Sequence, residues 1–298
     1  MKVLKLKVLA AKITKAKSIE EVNAILWDSI HTDPDFCGGH WEKYSVKLLA
    51  YLTRLKIAKN DGQSIYDENP AFSVIALNGN SKLPFASFST IAIYSCPGAG
   101  PCTSWCYSVK AWRYPAAYFR QLQNTILMRF FPSIVARSFE NIPSNVTKLR
   151  LYVDGDFSSV SDVFFWFNLI KNRPSIQVYG YSKSWDEIHF VSQRISLPSN
   201  YVLNLSGGGR IRNTSREDML SLPITRGEFL AVPLQSVKEK STKRFSLPEY
   251  HAETRQAGMD ATGRKVFSCP GQCGTCSSGS HACGSMQFKG IPIAIGIH

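Results

Sequence analysis

Lys148-Leu-Arg-Leu-Tyr-Val-Asp-Gly-Asp-Phe157 reads as a short strand running into a polar, glycine-containing turn. The same arrangement recurs in Ile176-Gln-Val-Tyr-Gly-Tyr-Ser-Lys-Ser184 and in Tyr201-Val-Leu-Asn-Leu-Ser-Gly-Gly-Gly-Arg210. Helical spacing of apolar residues fills the intervals, over 161–171 and 185–194. Strands that alternate with helices, at intervals of roughly 25 residues, predict an α/β fold on a parallel sheet, here a (β/α)-barrel variant.

Upstream, Thr90-Ile-Ala-Ile-Tyr94 is expected to be a strand and Tyr114 to Phe131 an amphipathic, basic helix. Downstream, Phe229-Leu-Ala-Val232 is one more strand, and the regular alternation ends near residue 238. At the amino end, Ser18-Ile-Glu-Glu opens a helix over 19–31 as a capping box. A loop, His31 to His40, leads to a second helix over Trp41 to Ala58, which Asn60-Asp-Gly breaks. Three parts result: a basic helical N-terminal extension (1–70), an α/β core (71–245) and a Cys-rich, metal-binding C-terminal tail packed on the core (246–298).

The 298 residues carry a net charge of +13, with 44% hydrophobic and 12% aromatic residues. That composition belongs to a globular chain. No apolar run approaches the roughly 18 residues of a membrane span, so no membrane partner is expected. Lysines interrupt the apolar residues of the N-terminus, which argues against a signal peptide and for the cytoplasm. The basic charge makes nucleic acid the expected partner. Lys2, Lys5, Lys7, Lys12, Lys15 and Lys17 are either a solvated helix face or a phosphate-contacting arm.

Seven of the eight cysteines fall into two groups. Cys96, Cys102 and Cys106 lie in Cys-Pro-Gly-Ala-Gly-Pro-Cys-Thr-Ser-Trp-Cys, and Cys269, Cys273 and Cys276 in Cys-Pro-Gly-Gln-Cys-Gly-Thr-Cys, with Cys283 beyond. A reducing compartment disfavours disulfides and favours metal or catalysis. Cys269-x3-Cys273-x2-Cys276 has the spacing with which radical S-adenosylmethionine enzymes hold a cluster, but only 22 residues follow it. With Cys283 it offers a closed set of four thiolates, for zinc or an iron–sulfur cluster, in which His281 can replace one. The first group stands at the right place for a catalytic cluster, after a strand, with spacings of five and three residues. Cys37 or His40 offers a further ligand, the plainer reading of Cys37 being a buried thiol. One composite site and two separate sites are both open.

In parallel sheets, ligands bind at the carboxyl ends of the strands. Asp154 and Asp156 there suit a base or a cation ligand, or else a tight turn that caps the next helix. Lys183 suits phosphate or a carboxylate. Ser206-Gly207-Gly208-Gly209-Arg210 permits close backbone approach to an anionic or nucleotide ligand. Asp156 and Lys183 are the candidate catalytic residues, and Ser206 to Arg210 the candidate cofactor-binding ones. Tyr114 and Tyr118 have the spacing of paired nucleophilic tyrosines in some replication initiators, but no metal-binding pair of histidines flanks a single apolar residue, so both are read as packing a helix. Arg113, Arg120 and Arg129 on the same helix are candidates for phosphate contact. His298 is read as a surface residue, with a ligand role the lesser alternative.

The stretch Ser95–Tyr107, with Arg150–Phe157, Pro174–Ser184 and the cysteine-clustered tail with its apolar strand ending in His298, resembles the phage gene product 88 family over residues 90–298. Asp154 departs from the small residue expected there. The resemblance implies a phage or mobile-element origin, a cytoplasmic protein and kinship with barrel proteins of radical S-adenosylmethionine type. It carries no reaction. The functional expectation is an iron–sulfur (or zinc) cluster enzyme acting on nucleic acid or a nucleotide-like substrate, with S-adenosylmethionine a candidate cofactor. The alternatives are a zinc-stabilised nucleic-acid-binding protein and a replication initiator.

Overall fold

The computed structural model describes residues 2–36, 38–210, 212–235, 246–274, 276 and 281–297. Seven strands form one parallel sheet: β1 (Ala86–Ser87), β2 (Lys148–Leu151), β3 (Gln177–Ser182), β4 (Tyr201–Ser206), β5 (Thr225–Val232), β6 (Phe267–Ser268) and β7 (Ile293–Gly296). Their order is β1-β2-β3-β4-β5-β7-β6, and every ladder is parallel.

Side chains alternate across this sheet with the period of two that a strand imposes. Leu149, Leu151, Val178, Leu203 and Leu205 enter the main core beneath the helices. Tyr179, Tyr181 and Val202 face the other way, against Ala282, Cys283 and Ile293. Both faces are covered, as a parallel sheet requires.

The helices around the sheet are α4 (Ser108–Ala111), α5 (Pro115–Phe130), α6 (Pro132–Glu140), α7 (Val160–Lys171), α8 (Trp185–Ser192), α9 (Arg216–Ser221) and α10 (Pro248–Thr262). Their starts are locally encoded. The Ser159 hydroxyl accepts from Asp162 N at 3.2 Å to open α7, and Ser215 with Asp218 forms a reciprocal capping box on α9.

The N-terminal helices α1 (Lys2–Lys15), α2 (Ile19–Thr32) and α3 (Gly39–Asn60) pack into the same core. The expected capping box at Ser18 is there, its hydroxyl accepting from Glu21 N. On α1, Leu6, Leu9, Ala10 and Ile13 are buried, while Lys5 pairs with Asp33 and Asp35 at 2.7 and 2.9 Å. Arg129 of α5 donates to the carbonyls of Ile13 and Ala16, and the Tyr118 hydroxyl donates to that of Leu6. No helix among the described residues is long and apolar enough to cross a membrane.

Three expectations are corrected. The sheet is open: no ladder joins β1 to β6 among the described residues, so a closed barrel is not observed. Both edge strands are two residues long, and loop residues beside them make the contact between the two edges. Cys273 N donates to Lys82 O at 2.9 Å, and Gln272 Nε2 to Ser81 O at 3.0 Å. Secondly, Thr90–Tyr94 is a turn, and the strand lies earlier at Ala86–Ser87. Ile91 and Ala92 are buried in succession and Ile93 has φ of 68°, so the segment lacks the alternation of a strand. Thirdly, the stretch after residue 246 is more than a tail laid on the core, since it supplies α10, β6 and β7, with β7 lying between β5 and β6.

The approach to β1 has little regular structure, and polar side chains of α5 hold it in place. Buried Gln123 accepts from Phe72 N at 2.9 Å and donates to Phe72 O at 2.7 Å. Asn124 donates to the carbonyls of Val74 and Ser89. Gln123→Ala leaves two buried backbone groups without partners, at about 1–3 kcal/mol each. Urea denaturation should therefore show a loss of about 2–6 kcal/mol, whereas a surface-like change below about 0.5 kcal/mol would refute this role.

Candidate functional site

Four loops leave the carboxyl ends of the strands and pack on one another. The cysteine loop after β1 is joined to the glycine loop after β4. Cys102 N donates to Gly208 O at 3.1 Å, and Arg210 N to Gly98 O at 2.9 Å. Gly98 lies so close to the loop after β3 that a Cβ there would come within 1.8 Å of Lys183 O. The glycines of Ser206–Arg210 thus permit close backbone approach, as their composition predicts, and the cysteine loop takes up that space. A Cβ on Gly208, at φ of 73°, would meet Trp105 at 2.8 Å and the Cys102 Cβ at 3.1 Å.

Asp156 ties the turn after β2 to the loop after β3. It is 3% exposed. One oxygen accepts from Ser182 Oγ at 2.7 Å and Phe157 N at 2.9 Å, and the other from Lys183 N at 2.7 Å. Burial raises its carboxyl above the ordinary range, with these donors opposing the shift. Lys183 directs its ammonium to Ser206 Oγ at 2.6 Å. Asp154 accepts from Gln121 Nε2 at 3.0 Å, and burial raises its carboxyl too. Neither aspartate caps the following helix, a task that falls to Ser159.

These loops enclose a cavity of about 90 Å³ lined by Cys96, Cys102, Cys106, Asp156, Lys183 and Ser206. Burial pushes the Cys96 thiol well up, with Asp156 adding to the shift and Lys183 opposing it. The same cavity is lined by Arg150, Tyr107 and Tyr181, which the motif reading passed over. A signal for Arg150 existed. It is a cation within a strand whose neighbours Leu149 and Leu151 are fully buried, and strands covered on both faces ordinarily read as continuous apolar runs.

The second cysteine group lies on the same inner face of the sheet. Cys283 is buried, with Tyr181 and Arg226 beside its thiol. Burial, reinforced by Cys273 and Cys276, pushes that thiol up to about 11. Burial and the nearby Cys283 push Cys269 up to about 12. Backbone N–H groups point at two of the sulfurs, Gly271 N at Cys269 and Ala282 N at Cys276, each at 3.4 Å. All seven cysteines among the described residues are free. The folded chain brings them into two neighbourhoods, but no three His, Cys, Asp or Glu side chains among the described residues are gathered as metal ligands.

His281 is 3% exposed, and neither ring nitrogen has a hydrogen-bond partner. Its ring sits 4.5 Å from that of Tyr179 and 5.1 Å from that of Phe85. Burial lowers its pKa to about 4, helped by Lys148 and Arg150, so the imidazole is neutral at pH 7. Gly284 leaves the room this ring needs, since a Cβ there would lie 2.6 Å from Nδ1.

Other candidates stand apart from this face. Tyr118 is 0% exposed and bonded to the α1 backbone, in keeping with its reading as a helix-packing residue and against the nucleophilic alternative, while Tyr114 is exposed. Arg129 is committed to α1, and Arg113 stacks on the Tyr114 ring. Arg120 is partly buried, its Nε unpartnered. His40 is exposed beside Tyr44. Cys37 and His298 lie outside the described residues.

The three donors on Asp156 make Asp156→Asn informative. Whichever way the amide turns, its NH₂ faces the N–H of Lys183 or that of Phe157. A loss of about 1–3 kcal/mol is expected in urea unfolding, and an unchanged midpoint would show that the carboxylate does not hold these loops.

Comparison with curated proteins gave no match, and comparison with solved structures gave none. The family model described as "Gene product 88" matches residues 53–287, a span that contains six of the seven strands and ends just before β7. With that match over most of its length, the chain belongs to the gene product 88 family, the phage family that its motifs resemble.

Proposed function

We propose that this protein binds an iron–sulfur cluster through Cys96, Cys102 and Cys106 and a second, closed centre, iron–sulfur or zinc, through Cys269, Cys273, Cys276 and Cys283. The first would serve an enzymatic reaction in the adjoining cavity. The observation that carries the reading is that three thiols line one small cavity with Asp156, Lys183 and Ser206, at the carboxyl ends of parallel strands.

The donor sets fit such groups. The thiols are free, and backbone N–H groups aimed at Cys269 and Cys276 are of the kind that tune cluster sulfurs. His281 presents two buried nitrogens without partners, a further ligand or an outer support for the tail centre. Arg150 and the fully buried Arg226 stand near the tail thiols and oppose the negative charge that a thiolate-rich centre carries. Metal binding would draw together thiols that are now neighbours but not yet a ligand set.

When bound, an iron–sulfur cluster supplies one-electron or radical chemistry. The chain's own residues bind and orient the substrate. Asp156, engaged by three donors, positions Lys183 rather than serving as a free base. Lys183 and Ser206 meet the ligand from the wall opposite the thiols. S-adenosylmethionine belongs to this reading only as a ligand reached through Ser206, since the cysteine loop packs on Gly208 and Gly209. The net charge of +13 supports an anionic substrate or partner, with nucleic acid the commonest.

Metal analysis of the full chain purified without oxygen tests the proposal. Iron with acid-labile sulfide and absorbance at about 400 nm are the expected result. Colourless protein with stoichiometric zinc would replace it with a zinc-stabilised binding protein, and metal-free protein with seven alkylatable thiols in these groups would overturn it. Cys276→Ser with Cys283→Ser should abolish the tail centre and leave the metal of the first group in place. Loss of all metal from that variant would point to a single composite centre.

A further inference from the structure

One side chain touches both cysteine neighbourhoods. Arg150 projects from the inner face of β2 into the cavity beneath the first cysteine loop. It also stands beside the Cys273 thiol of the second group. Its guanidinium stacks on the Tyr181 ring at 4.7 Å, and Nη2 donates to the Tyr107 hydroxyl at 3.3 Å. Nε is buried without a partner. Among the described residues no carboxylate lies within ion-pair distance of it. A guanidinium cannot discharge itself by losing a proton. Enclosing one without an opposite charge costs several kcal/mol.

The nearby acids make no direct ion pair with either cation among the described residues: Asp156, whose charge lies near Lys183, has its oxygens engaged by Ser182, the Lys183 N–H and Phe157, and Asp154, near Arg150, accepts from Gln121. The Lys183 ammonium reaches only a neutral hydroxyl, Ser206 Oγ at 2.6 Å. Two cations therefore border one cavity with no acid paired to either among the described residues.

Size narrows the ligand. The cavity is small, about 90 Å³. That admits a carboxylate or a phosphate group, while the remainder of a larger molecule stays outside.

We infer that the cavity beneath the first cysteine loop is an oxyanion site, in which Arg150 and Lys183 hold a carboxylate or phosphate group of the ligand next to Cys96, Cys102 and Cys106. Planar guanidinium and oxyanion match in a two-pronged hydrogen bond, which explains an arginine here rather than a second lysine. The inference names the charge class of the ligand in the cavity proposed above, and it stands on the two cations rather than on a bound metal.

The test uses the full chain as purified, its metal content measured on the same samples. Inorganic phosphate and acetate are titrated separately at constant ionic strength made up with chloride, followed by isothermal calorimetry and by the thermal midpoint. Saturable binding of one of them at about millimolar strength is expected, and which one binds distinguishes a phosphate from a carboxylate ligand. Arg150→Gln and Lys183→Gln should each weaken it by about tenfold. No saturable binding of either anion to the wild-type chain would overturn the inference, as would unchanged affinity in Lys183→Gln, a variant that alters a half-buried side chain and decides the matter even where Arg150→Gln fails to fold. Anion binding by metal-free protein would uphold the oxyanion site while the cluster reading falls, and metal without anion binding would do the reverse.

Discussion

The carboxylate of Asp156 holds two strand ends together. Its oxygens accept from the Ser182 hydroxyl and the Lys183 N–H after β3, while the residue itself belongs to the turn after β2. Enclosing a carboxylate is unfavourable unless its lone pairs are met, and here three donors meet them. Everything above depends on that junction. Lys183 owes its direction to it, Gly98 packs against Lys183, and the cysteine loop reaches the glycine loop through Gly98 and Gly208. The site is therefore a stack of backbone contacts built over one buried charge.

The inner face of the sheet obeys a related rule. It carries polar groups, Asn204 on β4 and Arg226 on β5, where an ordinary sheet would bury apolar ones. Each is met by the chain beyond α10. Asn204 donates to Cys283 O at 2.8 Å and to Gly180 O, while Arg226 donates to Asn204 Oδ1, Ile291 O and Glu228 O. The cysteine-rich segment is thus held through its carbonyls by side chains of the sheet, which leaves its thiols free of disulfides and the His281 nitrogens without partners.

How far the sequence could be read follows from the range of the forces involved. β3, β4, α2 and α7 were legible because their signals are local: alternation, a capping serine, a terminating turn. β1 and β6 were not, since two residues carry no periodicity and only their neighbours make them strands. In the tail, the apolar strand before His298 is legible and corresponds to β7, which pairs with β5, whereas α10 and β6 are not read from the sequence. In the site, Asp156 and Lys183 were legible from their position after strands. Arg150 escaped because its meaning lies in what faces it across the sheet. Tyr118 packs inward against α1, as the helix-packing reading of its spacing expects.

The strand order has a consequence for assembly. β7 lies between β5 and β6, although both are made before it. A nascent chain that has emerged only as far as α10 carries β5 with an unpaired edge, a template for pairing with another chain. The sheet becomes complete only when β7 enters the slot between two older strands, and a pause or termination before β7 leaves an association-prone intermediate rather than a slightly shorter version of the native fold.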